Sequence, residues 1–194
     1  MIIGVSGKIG SGKDTFGNYF IDIMKQKYNI NYENKKFADN LKLITTILTG
    51  VSIEDTASRD GKLKLLPEWN LTVGEILQIL GTDAIRNHLH PDAWVLSLFS
   101  TYNSDNCNWI ITDVRFKNEA NYIKQKNGIL IRLIGDPCNC NKNEHRNLTH
   151  QSEIDLDDYT MFDYVYYNKP PISNLYEYVD GLIEELRHEN WIRY

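Results

Sequence analysis

Cysteine is scarce: Cys107, Cys138 and Cys140 are the three in 194 residues, which excludes a disulfide framework as the source of stability. The close pair Cys138 and Cys140 lacks the second paired set that a tetrahedral zinc site uses, so neighbouring His145 and His150 are not expected to complete one. No apolar run approaches the length of a bilayer span, and no membrane partner is expected. Basic excess is also missing. The formal net charge of −5 argues against nucleic acid as a partner, while leaving room for one basic cleft. Neither a basic leader nor a cleavage-type site precedes the first apolar run, so a cytoplasmic protein is expected. What remains is ordinary: 42% hydrophobic and 24% charged residues, in a chain of single-domain length without internal repeats.

The most informative segment is Gly7-Lys8-Ile9-Gly10-Ser11-Gly12-Lys13-Asp14-Thr15. An apolar run, Met1 to Ser6, reads as a buried strand before it, and Phe16 to Met24 reads as a helix after it. A strand, a glycine-rich turn and a helix make a phosphate cradle. Gly7, Gly10 and Gly12 let backbone N–H groups converge on an anion, Ser11 lies in the same turn, and the helix N-terminus adds partial positive charge. Lys13 supplies a full charge for the outer phosphates. The motif departs from G-x-x-x-x-G-K-[ST]: Asp14 holds the Ser/Thr position and Thr15 follows it. Thr15 and Asp14 are the candidate Mg2+ ligands, directly or through water. For Asp14 the alternative is a carboxylate that only stabilises the helix N-terminus.

Downstream, strands alternate with helices. Lys35 to Ala38 is expected as a second strand, and Asp39 as the cap of a helix carrying Leu41, Ile44, Ile47 and Leu48, ended by Gly50. Residues 51–70 read as an irregular or partly helical flap. Thr72 and Glu75 form a capping-box pattern at the start of the next helix, which Gly81-Thr82-Asp83 interrupts or bends. His90-Pro91-Asp92 opens another helix. Trp109 to Thr112, Ile129 to Ile134 and Phe162 to Tyr167 read as strands, Asn118 to Asn127 as a helix closed by Gly128, and Ser173 to Leu186 as a closing amphipathic helix. This alternation predicts an α/β fold of three layers, a parallel sheet of about five strands flanked by helices. A single domain is expected over 1–194, with a substrate-binding helical insertion at about 39–105 and a polar, lid-like segment at about 136–158.

Two further constellations carry chemistry. Asp113 stands at the carboxyl end of a buried strand, where a Walker-B-type acid sits, and Arg115 offers a fork suited to phosphate. Glu119, one helical turn on, is placed to pair with Arg115. In the middle region Gln78 is an amide that can read a base edge, Arg86 can hold a phosphate and Trp94 can stack on a base. Each of these also has an ordinary structural reading as a helix surface, a solvated arginine or a core tryptophan. Arg132 and Arg146 are candidates to reach donor phosphates.

Taken together, these motifs resemble those of viral deoxynucleoside monophosphate kinases. The resemblance rests on Gly7 to Thr15, Phe37-Ala38-Asp39-Asn40-Leu41-Lys42, Leu77-Gln78-x-Leu80-Gly81-Thr82-Asp83, Asp92-x-Trp94, Asp113-Val114-Arg115-Phe116-x-Asn118-Glu119-Ala120 and His150-x-Ser152-Glu153, in that order. It implies a P-loop kinase fold in which Gly10, Gly12, Lys13, Asp14 and Thr15 contact ATP, and Lys42, Trp94, Asp113, Arg115 and Glu119 contact the monophosphate. It also implies ATP and Mg2+ as cofactors and, for a viral chain, the host-cell cytoplasm as the site of action. Some members carry basic residues near the positions of Ile9 and Gly10; here only Lys8 stands close by. Lys13, Arg115 and Asp113 are the expected catalytic set. The glycine loop also permits a kinase of another acceptor, such as phosphomevalonate, shikimate or dephospho-coenzyme A, or a non-catalytic nucleotide-dependent switch. An exposed helix face is compatible with a homodimer.

Overall fold

The computed structural model describes residues 1–104, 107–137 and 151–192. In chain order the elements are β1 (Ile2–Gly7), α1 (Lys13–Tyr28), β2 (Glu33–Lys35), α2 (Asp39–Thr49), α3 (Ile53–Ala57), α4 (Arg59–Leu63), β3 (Leu65–Leu66), β4 (Leu71–Thr72), α5 (Val73–Gln78), a π-helix (Ile79–Leu89), α6 (Ala93–Phe99), β5 (Trp109–Val114), α7 (Lys117–Gln125), β6 (Ile129–Ile134), α8 (Gln151–Ile154), β7 (Tyr164–Tyr167) and α9 (Ile172–His188). They fall into two compact units, Met1–Lys36 with Tyr102–Tyr194, and Phe37–Thr101.

The first unit is built on a five-stranded sheet in the order β2-β5-β1-β6-β7, every neighbouring pair parallel. β1 is buried along its whole length, which is why it reads as a continuous apolar run rather than an alternating one. Its residues still divide by face. Ile3 and Val5 join Ile129, Ile131 and Leu133 in a core with Phe16 and Phe20 of α1 and Leu175, Val179, Leu182 and Leu186 of α9. On the opposite face Gly4 lies so close to Ile123 of α7 that a Cβ there would stand 2.7 Å from its Cδ1. Helices therefore cover both faces, making the expected three layers. Each large side chain buried in this way contributes about 1.5–3 kcal/mol.

The strand boundaries shift from the sequence reading at two places. β2 pairs Glu33 with Trp109 and Lys35 with Ile111, so it ends where residues 35–38 had been expected to begin a strand. Phe37 is buried instead in the second unit, its ring 6.3 Å from that of Phe99. β5 continues through Val114, which puts Asp113 inside the strand.

The second unit holds α2 to α6, the π-helix and the short antiparallel β3–β4 pair, so the 51–70 stretch is largely ordered into short elements. The expected capping box is present: Glu75 N–H donates to Thr72 Oγ1 at 3.2 Å, and Thr72 N–H donates to Glu75 Oε2 at 2.7 Å. Where Gly81 was expected to disturb the helix, the backbone widens into π geometry, and Trp94 Nε1–H donates to the Gly81 carbonyl at 2.8 Å. Helix α2 departs from expectation. Much of its apolar stripe is open: Ile47 is 76% and Leu48 48% exposed, whereas Leu41 packs against Gly81, where a Cβ would stand 2.7 Å from its Cδ2; its one buried residue is Thr45, whose hydroxyl donates to the Leu41 carbonyl. Asp39 is not its cap; Ala38 holds that position, with Asp39 in the first turn. No helix among the described residues is long and apolar enough to cross a membrane.

Candidate active site

Parallel strands end on one edge, and the carboxyl ends of β1, β2, β5, β6 and β7 bring the chemistry of the first unit together there. β1 runs into the glycine loop. Gly12 has φ +92°, in the left-handed region where glycine is favoured, and it opens α1. The loop is tight: a Cβ on Gly7 would meet Ser11 Oγ at 2.3 Å, and Ser11 N–H donates to the Lys8 carbonyl at 3.2 Å.

Lys13 is 9% exposed. Its Nζ folds back to donate to the Lys8 carbonyl at 2.8 Å and reaches Ser11 Oγ at 3.5 Å. Burial pushes its pKa down to about 8, helped by the positive charges of Arg115 and Arg132 and opposed by Glu153 and Asp14. Three cations thus share a small, partly dehydrated space beside the loop, an arrangement that an anion would relieve.

Each cation is held by a partner. Arg115, just past β5, donates through its guanidinium to Glu153 of α8. Arg132 of β6 donates from Nη1 to Ser6 Oγ at 2.8 Å and from Nη2 to Asp157 Oδ1 at 3.0 Å. Burial lowers the Arg132 pKa, against the pull of Asp157 and Glu153. Lys8 Nζ donates to the other oxygen of Asp157 at 2.9 Å, so Lys8 sits within the same network. These pairs are partly exposed, and their value lies in geometry more than in stability.

Glu119 reaches back to the turn before α7. Buried at 2% exposure, it accepts from the backbone N–H groups of Arg115 at 2.8 Å and Phe116 at 3.1 Å. It sits at the third position of α7, where a carboxylate reaching back satisfies N–H groups that the helix leaves without partners. It shapes the turn that presents Arg115.

Asp14 and Thr15 occupy the first turn of α1. Asp14 Oδ1 accepts from Lys36 Nζ at 2.7 Å and from Thr112 Oγ1 at 2.9 Å. Partial burial opposes its ionisation, but these contacts hold the Asp14 carboxyl below the usual range. Lys36 and Thr112 went unnoticed in the sequence, because only strand pairing places them beside α1. Among the described residues no cluster of three or more His, Cys, Asp or Glu gathers as an all-protein metal cage. One or two hard protein oxygens beside phosphates is the arrangement that suits Mg2+, and Thr15 and Asp14 fit that donor set. Asp113 is half-buried in β5.

In the second unit, Lys42 Nζ lies 3.7 Å from Asp39 Oδ1. Gln78 is exposed, and Arg86 donates from Nη1 to the Pro91 carbonyl at 3.3 Å. Trp94 is 5% exposed, a core residue of its unit with its indole N–H already satisfied. Arg146 and His150 lie outside the described residues.

A family model described as deoxynucleotide monophosphate kinase matches residues 51–179. The chain belongs to the deoxynucleotide monophosphate kinase family. A relative from Acanthamoeba polyphaga mimivirus, described as a candidate deoxynucleotide monophosphate kinase, is 29% identical over 206 residues, covering 98% of this chain and 100% of that one. Among solved structures, a dephospho-CoA kinase from Campylobacter jejuni is similar with a TM-score of 0.49 and 18% identity, covering 97% of this chain and 98% of that one. The kinase is a phosphotransferase acting on a nucleotide monophosphate.

Proposed function

We propose that this kinase transfers the γ-phosphoryl group of ATP to a deoxynucleoside monophosphate, giving ADP and a deoxynucleoside diphosphate. The observation that supports this most is the buried Lys13 beside the glycine loop, with Arg115 and Arg132 crowding it. Phosphoryl transfer is catalysed mainly by positioning and charge neutralisation, and this edge offers both. Loop N–H groups from Gly7 to Gly12 and the start of α1 hold the donor phosphates. Lys13 follows the moving group, and Arg115 neutralises charge between donor and acceptor. An oxygen of the acceptor phosphate forms the new P–O bond as the bond to the β,γ-bridging oxygen breaks. That acceptor is already ionised near neutral pH, so no strong base is required, and Asp113 orients rather than deprotonates. Thr15, with Asp14 acting through water, would hold Mg2+, which would supply screening of the donor-phosphate charge. Arg132 supports the donor phosphates. In the Phe37–Thr101 unit, Gln78 reads the base of the monophosphate, and Lys42 and Arg86 meet its phosphate.

A coupled assay with ATP and Mg2+ against each common monophosphate and deoxymonophosphate tests the reading. ADP release with at least one deoxymonophosphate is expected. Turnover of dephospho-CoA, shikimate or phosphomevalonate with none of the monophosphates would overturn it.

A further inference from the structure

The edge strand β7 delivers one more side chain to the glycine loop. Asn168 follows β7, is 4% exposed, and has no part in the roles above. Its backbone N–H donates to the Ile134 carbonyl at 2.7 Å, which ties it to the end of β6. A Cβ on Gly135 would stand 2.3 Å from its carbonyl oxygen, so the chain passes close on that side too. Its side-chain Nδ2 donates to the Ser11 carbonyl at 3.0 Å across 157 residues of sequence. The same Nδ2 would lie 2.6 Å from a Cβ on Gly12, so only glycine permits this approach.

The consequence follows from the peptide group itself. A trans peptide is planar, and its C=O and N–H point in opposite directions. Holding the Ser11 carbonyl toward Asn168 therefore turns the Gly12 N–H the other way. With glycine at φ +92°, this peptide has freedom that most residues lack. Released, it can rotate and present a carbonyl oxygen where an anion needs a donor.

We infer that Asn168 is a positioning residue for the polyphosphate, locking the Ser11–Gly12 peptide so that the Gly12 N–H faces the anion. This rests on the reading of the loop as the donor-phosphate site. It extends that site to the end of β7, beyond the strand–loop–helix motif.

Asn168→Asp and Asn168→Ala test it, each confirmed folded by circular dichroism and thermal melting. Asp keeps the shape and loses the donor; Ala loses both. Titration calorimetry with inorganic tripolyphosphate is the direct readout, and KM for ATP against KM for the monophosphate is the second. In both variants the tripolyphosphate Kd and the ATP KM are expected to rise about tenfold, the scale of one hydrogen bond to a charged group, with the monophosphate KM within about twofold of the wild type. Equal tripolyphosphate affinity in the wild type and a folded variant overturns the inference alone. So does a parallel rise in both KM values, the mark of a merely structural role. A wild type that binds no polyphosphate overturns this inference and the parent reading together.

Discussion

The two units spend their apolar residues differently. In the sheet unit Ile2, Ile3, Val5, Phe16, Phe20 and Met24 are all nearly inaccessible, and Lys13, Arg115 and Arg132 lie close enough to perturb one another. In the helical unit Ile47, Leu63 and Leu89 are each about 70% exposed or more, while Thr45 and Thr56 are buried. The sheet unit is a rigid frame holding cations that repel one another. Such a frame is what phosphate chemistry requires, because dipoles and charges fixed in advance need not reorganise during reaction. The helical unit has a smaller core, closed around Trp94, Phe99 and Val73, and a widened helix beside it. On the proposed division of labour, substitutions in the sheet unit strike the chemical step and those in the helical unit strike acceptor binding or folding.

The largest expected effect breaks or upholds that division at once. Lys13→Met should lower kcat by about 10²–10³-fold, the cost of losing one preorganised electrostatic contact. Its melting temperature should stay equal or rise, since burial disfavours the charged lysine in the empty protein. Arg115→Ala should lower kcat by about 10³-fold. A normal kcat there would remove that guanidinium from the chemistry.

Trp94 gives the second-largest effect and separates folding from binding. Trp94→Ala should destabilise the protein by about 3–5 kcal/mol, the range for a large aromatic removed from a core, as read by urea titration. Trp94→Phe should cost about 1 kcal/mol for the lost bond to Gly81 and leave the monophosphate KM unchanged. A raised KM with unchanged stability would instead place the ring on the base.

Smaller again, Gln78→Ala and Arg86→Ala should each raise the monophosphate KM by about tenfold, with the KM for ATP and the melting temperature held. A changed ATP KM would blur the boundary between the units.

The smallest effect is a pH slope. Lys13 titrates near 8 in the empty protein, against an ordinary value of 10.5. Its protonated form is therefore the disfavoured one in the fold. Stability is reduced below about 8 and is regained as pH rises from there toward 10.5. Polyphosphate favours the protonated form, so its affinity should fall above pH 8 by at most about tenfold per unit, with proton uptake on binding. Calorimetry in buffers of different ionisation enthalpy measures this, and Lys13→Met should flatten it.

Local chemistry made much of the frame legible. The strand, the glycine spacing and the helix of residues 1–28 need only neighbours in sequence to be recognised, and β6 follows its apolar run residue for residue. α7 closes one residue earlier than expected: Asn127, not Gly128, takes the left-handed conformation (φ 55°), while Gly128 N–H donates to the Ile123 carbonyl. Contacts that depend on register were not legible. Asn168, Asp157 and Lys36 reach the loop and its cations only because parallel strands end together, and nothing in their own surroundings marks them. Spacing sets Glu119 one turn from Arg115 but does not say which group it meets. The helix start needed acceptors for its N–H groups, and that need took the carboxylate. The α2 stripe shows the limit of periodicity: it reveals which residues share a face, not whether anything covers that face.

The central claim is that the glycine loop and its crowded lysine move a phosphoryl group from ATP to a deoxynucleoside monophosphate. Single-turnover transfer from γ-labelled ATP, run beside the Lys13→Met protein, measures it most directly. Label appearing in the deoxynucleoside diphosphate with the wild type, and slowed at least about 10²-fold by the substitution, is the predicted result. Label passing only to water, or to the diphosphate equally fast in both proteins, would contradict it.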